Sequence, residues 1–187
     1  LDMSQMTRLW QRAVDLTGDK MLGLHVGQQI QQGAFNLLGG LVLNSENVKV
    51  AIEQMIRYLA LVSEGGRFSL VEEGEYCCLQ YQPTPNKIPM THYQVEGVIS
   101  GVVKFSRDIL PLGLAPLRVE FAHQAPENIM PYETFFSCPV VFSAARHGLV
   151  FDAKLLSIKI PHADPELFAH HRSLAEKKLV VINGLQG

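Results

Sequence analysis

The sequence predicts an α+β fold: a helical N-terminal layer packed with a mostly antiparallel β-sheet and one long central helix. Three observations predict it. Apolar residues recur at helical spacing through the first third of the chain, and from Gly65-Gly66 onward they alternate with polar ones as in strands. The later strands do not alternate regularly with helices, which disfavours a doubly wound parallel sheet. At 187 residues the chain suits a single domain and can hide roughly 70% of its unfolded surface. We read a helical part over about 1–64 and an α+β part over about 65–187.

The elements follow in order. Leu9, Ala13 and Leu16, with Trp10 and Val14 beside them, mark a first helix that Thr17-Gly18 stops. Asp19 can cap a second helix with the stripe Leu22, Val26 and Ile30. Gly23 and Gly27 leave a notch on it for a neighbouring helix, a gain that must offset up to ~1 kcal/mol per glycine in helix propensity. A short apolar segment runs from Phe35 to Leu43. Ser45 is the expected N-cap of a helix whose face is Val48, Ile52, Met55, Ile56, Leu59 and Val62. Phe68 and Leu70 alternate with Arg67 and Ser69 in a strand, and Glu75 to Tyr81 pairs with it across Glu73-Gly74. Pro83, Pro85 and Pro89 delimit a loop. Met90 to Leu110 reads as one long helix closed by Pro111 and Gly113. Leu117, Val119 and Phe121 alternate with Arg118 and Glu120 in a half-buried strand. Pro126 is expected to open a short helix to Phe136, Val140–Phe142 and Leu149–Phe151 form two more strands, and Asp164-Pro165 starts a last helix through about Val181.

Composition excludes several functions. With 16 Lys+Arg against 18 Asp+Glu the net charge is -2, whereas a nucleic-acid surface needs a basic stripe. Arg172, Lys177 and Lys178, interleaved with Glu176, read as a solvated helix face. No stretch approaches the ~20 apolar residues that span a bilayer, so no membrane partner is expected. Cys77, Cys78 and Cys138 form neither an even disulfide framework nor a C-x-x-C pair, which fits a reducing compartment. No signal peptide shows, so we expect a cytoplasmic location; the start at Leu1 suggests a piece of a longer chain. The seven histidines lack zinc spacing and read as surface groups. Cys138 lacks a predicted base, and Ser100 sits mid-helix where it can bond back to a carbonyl. Walker or other cofactor patterns are absent, so no cofactor and no metal are expected.

One constellation stands out on the long helix. His92, Glu96 and Ser100 follow each other at four-residue intervals beside the stripe Val95, Ile99, Val102, Ile109 and Leu110. A polar ladder bordering an apolar face suits a small-molecule pocket; it equally suits a surface His–Glu pair worth tenths of a kcal/mol. Tyr76, Tyr81 and Tyr93 are candidates for the same region.

Four blocks then carry a family resemblance. Gly18 to Gly27 follows G-D-P-x-L-G-L-x-x-G, with Lys20 at the proline position. Gly39 to Ser45 with Ala51 and Arg57-Tyr58 follows next. Pro116 to His123 with Pro126 fits P-L-x-V-x-F-x-H-x-x-P, and Tyr132 to Phe142 fits Y-x-x-F-F-x-x-P-V-x-F. Over roughly residues 4 to 178 the chain resembles the N-terminal, effector-binding domain of AraC-type bacterial transcription regulators of the arabinose-binding-like subgroup. The resemblance implies a sensor and not an enzyme: a domain that binds a small-molecule effector of unknown class and forms a homodimer. Promoter DNA would be read by a C-terminal helix-turn-helix region that this chain lacks. Val119, Phe121, Phe135, Phe136 and Phe142 then serve the core, and His123 and Tyr132 are ordered structural polar groups. Two alternatives stay open: a dimerisation or interaction module without a ligand, and a small enzyme using His92 and Glu96 for proton transfer.

Overall fold

The computed structural model describes residues 3–85, 89–110 and 115–185. Among the described residues seven α-helices and five strands follow in the order α1 (Met3–Thr17), α2 (Leu22–Gln28), α3 (Asn36–Leu43), α4 (Val48–Tyr58), β1 (Gly66–Glu73), β2 (Tyr76–Pro83), α5 (His92–Ile109), β3 (Arg118–Glu120), α6 (Met130–Phe136), β4 (Val140–Val141), β5 (His147–Asp152) and α7 (Pro165–Leu185). Short 3-10 turns cover Gln32–Phe35, Leu59–Leu61 and Ala153–Ser157. The sheet order is β1-β2-β5-β3-β4, antiparallel throughout except where β3 and β4 run parallel. The α+β architecture with a helical layer, a mostly antiparallel sheet and a long central helix is therefore what the chain adopts.

The sheet has one apolar face. Phe68 pairs with Tyr81 and Leu70 with Leu79, Leu79 pairs in turn with Leu149, and Val119 lies opposite Leu149 on the other side. Strand residues alternate sides, so Cys77 joins the core and Cys78 faces outward, as their adjacency predicts. Cys78 is nonetheless fully buried. On the same outward side Arg146 bridges two carboxylates, Glu120 at 2.9 Å and Glu73 at 2.7 Å, and Arg118 also reaches Glu120 at 2.7 Å. Glu120, expected on the solvated side of its strand, is thereby buried within a cage of two guanidiniums.

Two glycines explain how the helices meet. Gly18, at φ +67°, ends α1 in the left-handed conformation that side chains resist. The Gly23/Gly27 notch receives α5: a Cβ on Gly23 would lie 2.1 Å from the Tyr93 carbonyl oxygen, and one on Gly27 1.8 Å from Ser100 Oγ. The backbones of α2 and α5 touch where side chains would hold them apart.

Several expectations need correction. Leu9 and Leu16 of α1 are exposed; the helix turns Met6, Thr7 and Trp10 inward instead. On α2, Val26 is exposed while Gly23, Leu24 and Gly27 are buried. Asn47, not Ser45, caps α4: its extended backbone lets its side chain accept from the Val50 N–H at 3.0 Å, while Ser45 is buried and donates to the Leu41 carbonyl. The α6 helix begins at Met130, four residues after Pro126, with Pro131 in its first turn. The α5 helix starts at His92 behind a capping box of Thr91 and Gln94, and Leu110 has left the helix. Pro111 and Gly113, expected to close it, lie outside the described residues. The last helix runs on to Leu185. It is tied to α4 by Glu176, which accepts from Tyr58 and pairs with Arg57 at 2.7 Å.

Candidate functional site

The helical layer does not close on the sheet. Between α1 to α5 and the inner face of β1 and β2 lies a cavity of about 360 Å³. Met3, Met6 and Trp10 cover it from α1, Val48, Ile52 and Met55 wall it from α4, Phe68, Leu79 and Tyr81 floor it from the sheet, and Gly97, Val98, Val102 and Phe105 bound it from α5. Exposed Val26, Val62 and Ser63 mark where it reaches the surface. Among the described residues no charged side chain lines it. The side chains on its wall that carry polar atoms are Trp10, Ser63, Tyr81, Gln94 and Ser106. Burial pushes the Tyr81 phenol up to about 12, so it remains protonated, and its hydroxyl meets the Met90 sulfur at 3.7 Å. Gln94 Oε1 accepts from the Thr91 N–H at 2.9 Å and lies 3.2 Å from Thr91 Oγ1.

The far side of α5 is different in kind. Glu96 is buried, and its Oε2 accepts from the Tyr132 hydroxyl at 3.1 Å. Its Oε1 lies 3.4 Å from His123 Nε2, an approach without hydrogen-bond geometry, so Nε2 is left buried without a partner. The His123 ring packs among Phe121, Phe142, His92 and His147 at centroid distances of 5.0, 5.4, 5.1 and 6.0 Å. Burial pushes the Glu96 carboxyl up to about 7, the Tyr132 bond offsetting part of the rise. Burial also holds His123 down to about 4, with His92 and His147 adding repulsion. Both groups are therefore driven toward their neutral forms, because neither finds water or full compensation for charge.

The six candidates from the sequence are not brought together. Tyr81 lies on the cavity wall. Glu96 and Ser100 face the other way, into the polar knot and the α2 notch, and Ser100 bonds back to the Glu96 carbonyl at 2.6 Å. His92 is exposed and does not pair with Glu96; its ring leans on Tyr93 at 3.8 Å. Tyr93 is half-buried beside α2, and Tyr76 is exposed at the start of the inner strand β2. His123 and His147 are not surface groups, because the aromatic knot covers them. What the helical pattern missed is the cavity wall from α1, α3 and α4, where apolar side chains fit a filled core as well as a lined void. Gln94 could have been found: Thr91-x-x-Gln94 is a capping signature that fixes where the side chain goes. No group of three metal-binding side chains exists among the described residues, and no helix among them is long and apolar enough to cross a membrane.

A helical layer above a mostly antiparallel sheet is a fold this chain shares with a bacterial regulator of known structure. The chain is similar over 92% of its length to the crystal structure of the transcriptional regulator CdpR from Pseudomonas aeruginosa, with a TM-score of 0.74 at 15% identity, covering 56% of that chain. Residues 1–160 match the family described as the arabinose-binding domain of AraC transcription regulators, N-terminal, and the chain belongs to that family. It is also 24% identical over 187 residues to an ornithine utilization regulator of Pseudomonas aeruginosa, covering 100% of this chain and 54% of that one. The chain thus spans about half the length of the relatives it matches, and these relatives are transcription regulators.

Proposed function

We propose that this chain is the sensory part of a cytoplasmic transcription regulator, and that it takes up a small-molecule effector in the cavity between its helical layer and its sheet. The observation that carries the reading is that cavity of about 360 Å³, of the size and lining of small-molecule sites, in a chain of the regulator effector-domain family. Binding would act by population shift: the effector favours one arrangement of a DNA-reading region elsewhere in the longer protein, by its differential affinity for the two arrangements. Sensing, not catalysis, suits a wall that offers no charged or nucleophilic pair. The name of one relative speaks of ornithine; a cavity without a charged side chain among its described residues offers a charged amino acid no counter-charge.

A thermal-shift panel of amino acids, polyamines, sugars, fatty acids, aromatic acids and uncharged apolar compounds tests the reading. A ligand at about 100 times its Kd adds about 2.7 kcal/mol and raises the melting midpoint visibly. In the companion measurement the intact regulator retards promoter DNA at physiological salt and this chain alone does not; retardation by this chain alone would contradict it.

Pairing with a second copy is the other part of the proposal. Leu167, Leu174 and Val181 stand exposed at heptad spacing on α7, the repeat by which two helices form a seam. Leu174→Glu should shift sedimentation from dimer to monomer, and an unchanged sedimentation coefficient would remove α7 from the interface.

A further inference from the structure

We infer that the effector is an uncharged, mostly apolar molecule carrying a single hydrogen-bond-accepting oxygen at one end, held by Tyr81 and Gln94. The inference rests on the cavity being the effector site. It comes from an imbalance among the few polar groups of the wall. The Tyr81 hydroxyl is a strong donor whose partner in the structure is a thioether sulfur at 3.7 Å, a weak acceptor. The Gln94 carbonyl oxygen is committed to Thr91, while its amide N–H2, two donors, bonds to none of the described residues. Gln94 is itself 4% exposed. Gln94 folds back onto Thr91, the residue after Met90, and Tyr81 touches Met90, so both donors lie near the N-terminal end of α5. The rest of the wall is hydrocarbon and thioether apart from the Trp10 indole, Ser63 at the mouth and Ser106, which donates to the Val103 carbonyl at 2.8 Å.

Donors in excess of acceptors ask for an acceptor. The absence of Lys and Arg from the described wall decides which kind. A carboxylate or phosphate would shed its hydration against hydrocarbon with no cation to meet it, a cost of several kcal/mol. A ketone, ester, amide or lactone oxygen loses far less water and gains up to two hydrogen bonds. Ligands built for many polar contacts, such as sugars, would leave most of their hydroxyls unpaired.

The chain carries its own reporter, since its one tryptophan, Trp10, lies on the cavity wall. We would titrate the protein with methyl nonyl ketone and with decanoate at a pH where the acid is ionised, following Trp10 emission. The two molecules share their alkyl chain and differ in a methyl group against a charged oxygen. The ketone is expected to bind at least about tenfold more tightly. Tyr81→Phe should weaken it roughly three- to tenfold while leaving the melting temperature nearly unchanged. Gln94→Glu, which keeps the reciprocal cap with Thr91 and removes the amide donors, should weaken it as well. Decanoate binding as tightly as the ketone overturns the uncharged class while leaving the cavity as the effector site. Ketone affinity indifferent to both variants overturns the assignment of Tyr81 and Gln94. Trp10 emission unmoved by either compound, in a chain still folded by circular dichroism, overturns the cavity reading and this inference together.

Discussion

The two sides of α5 make opposite uses of being buried. Toward α1, α3 and α4, around Val98 and Val102, the helix borders an uncharged cavity. Toward α2, β3 and α6, Glu96 and Ser100 sit in ground so tight that two glycines are needed to admit them, and there ionisable groups crowd together. One side has volume without ionisable groups and the other has ionisable groups without volume. The comparison teaches that a polar ladder on a helix does not by itself locate a ligand. Burial that removes all free space turns such groups into structure, and the room for a ligand lies on the side where apolar packing is incomplete.

The largest effect is expected from forcing the tight side open. Gly23→Ala puts a methyl group on the Tyr93 carbonyl, so the domain should lose at least about 3 kcal/mol in denaturant melts, against the gain of up to ~1 kcal/mol that helix propensity alone predicts. A variant as stable as the parent would mean that α2 and α5 are not in backbone contact. A second measurement sharpens the charge on that side through pH. The folded chain keeps a proton on Glu96 that the unfolded chain releases, because burial raises this carboxyl from 4.5 to about 7. Its contribution is therefore present below pH ~4.5 and lost as pH rises through about 7, by about 3 kcal/mol in all. His123 runs the other way: lowered from 6.5 to about 4, it supports the fold above pH ~6.5 and loses about 3 kcal/mol as pH falls through about 4. The two nearly cancel in the parent. Stability of the parent minus Glu96→Gln should fall between those limits with rising pH, and parent minus His123→Phe should rise; parallel profiles would refute both assignments.

Tyr132→Phe is the next step down. It removes the donor to Glu96 Oε2, which should cost about 1–3 kcal/mol and push the Glu96 carboxyl further upward, visible by carboxyl carbon NMR titration. The smallest effect belongs to the roomy side. Val98→Leu adds one methylene to the cavity wall and should stabilise the domain by about 0.8 kcal/mol while weakening the bulkiest ligands. Destabilisation there would mean that the space is already filled by side-chain motion.

Much of the fold was legible because periodicity reports burial on one side of an element. The β1–β2 hairpin, the long central helix and the Asp164-Pro165 helix start all follow from local pattern, and the Gly23/Gly27 notch followed from spacing alone. The exposure of Leu9 and Leu16 was not legible, since which side of α1 meets the rest depends on where α5 presents Gly97 to Trp10. The same holds for Glu120, whose two arginine partners come from its own strand and from a loop 26 residues on. The cavity left the faintest trace. A helix face that lines a void carries the same residues as one that fills it, so Val102 and Met55 read as core either way. The polar knot was half visible: His123 and Tyr132 were read as ordered polar groups, but that they converge on Glu96, in place of His92, is a property of the β3–α6 crossing.

Cys77 and Cys78 carry a kinetic consequence. They are chemically alike neighbours on β2, both buried and both free, with burial holding each thiol upward and Cys78 at about 11. Buried, protonated thiols react with a labelling reagent only during transient opening, so each labelling rate is a clock for one local opening event. Cys77 keeps time for the inner face that floors the cavity. Cys78, one peptide bond away, keeps time for the outer face where Arg146 bridges Glu120 and Glu73. A ligand in the cavity should slow the first clock and leave the second running, so that two neighbouring sulfur atoms distinguish tightening around a bound molecule from stiffening of the whole sheet.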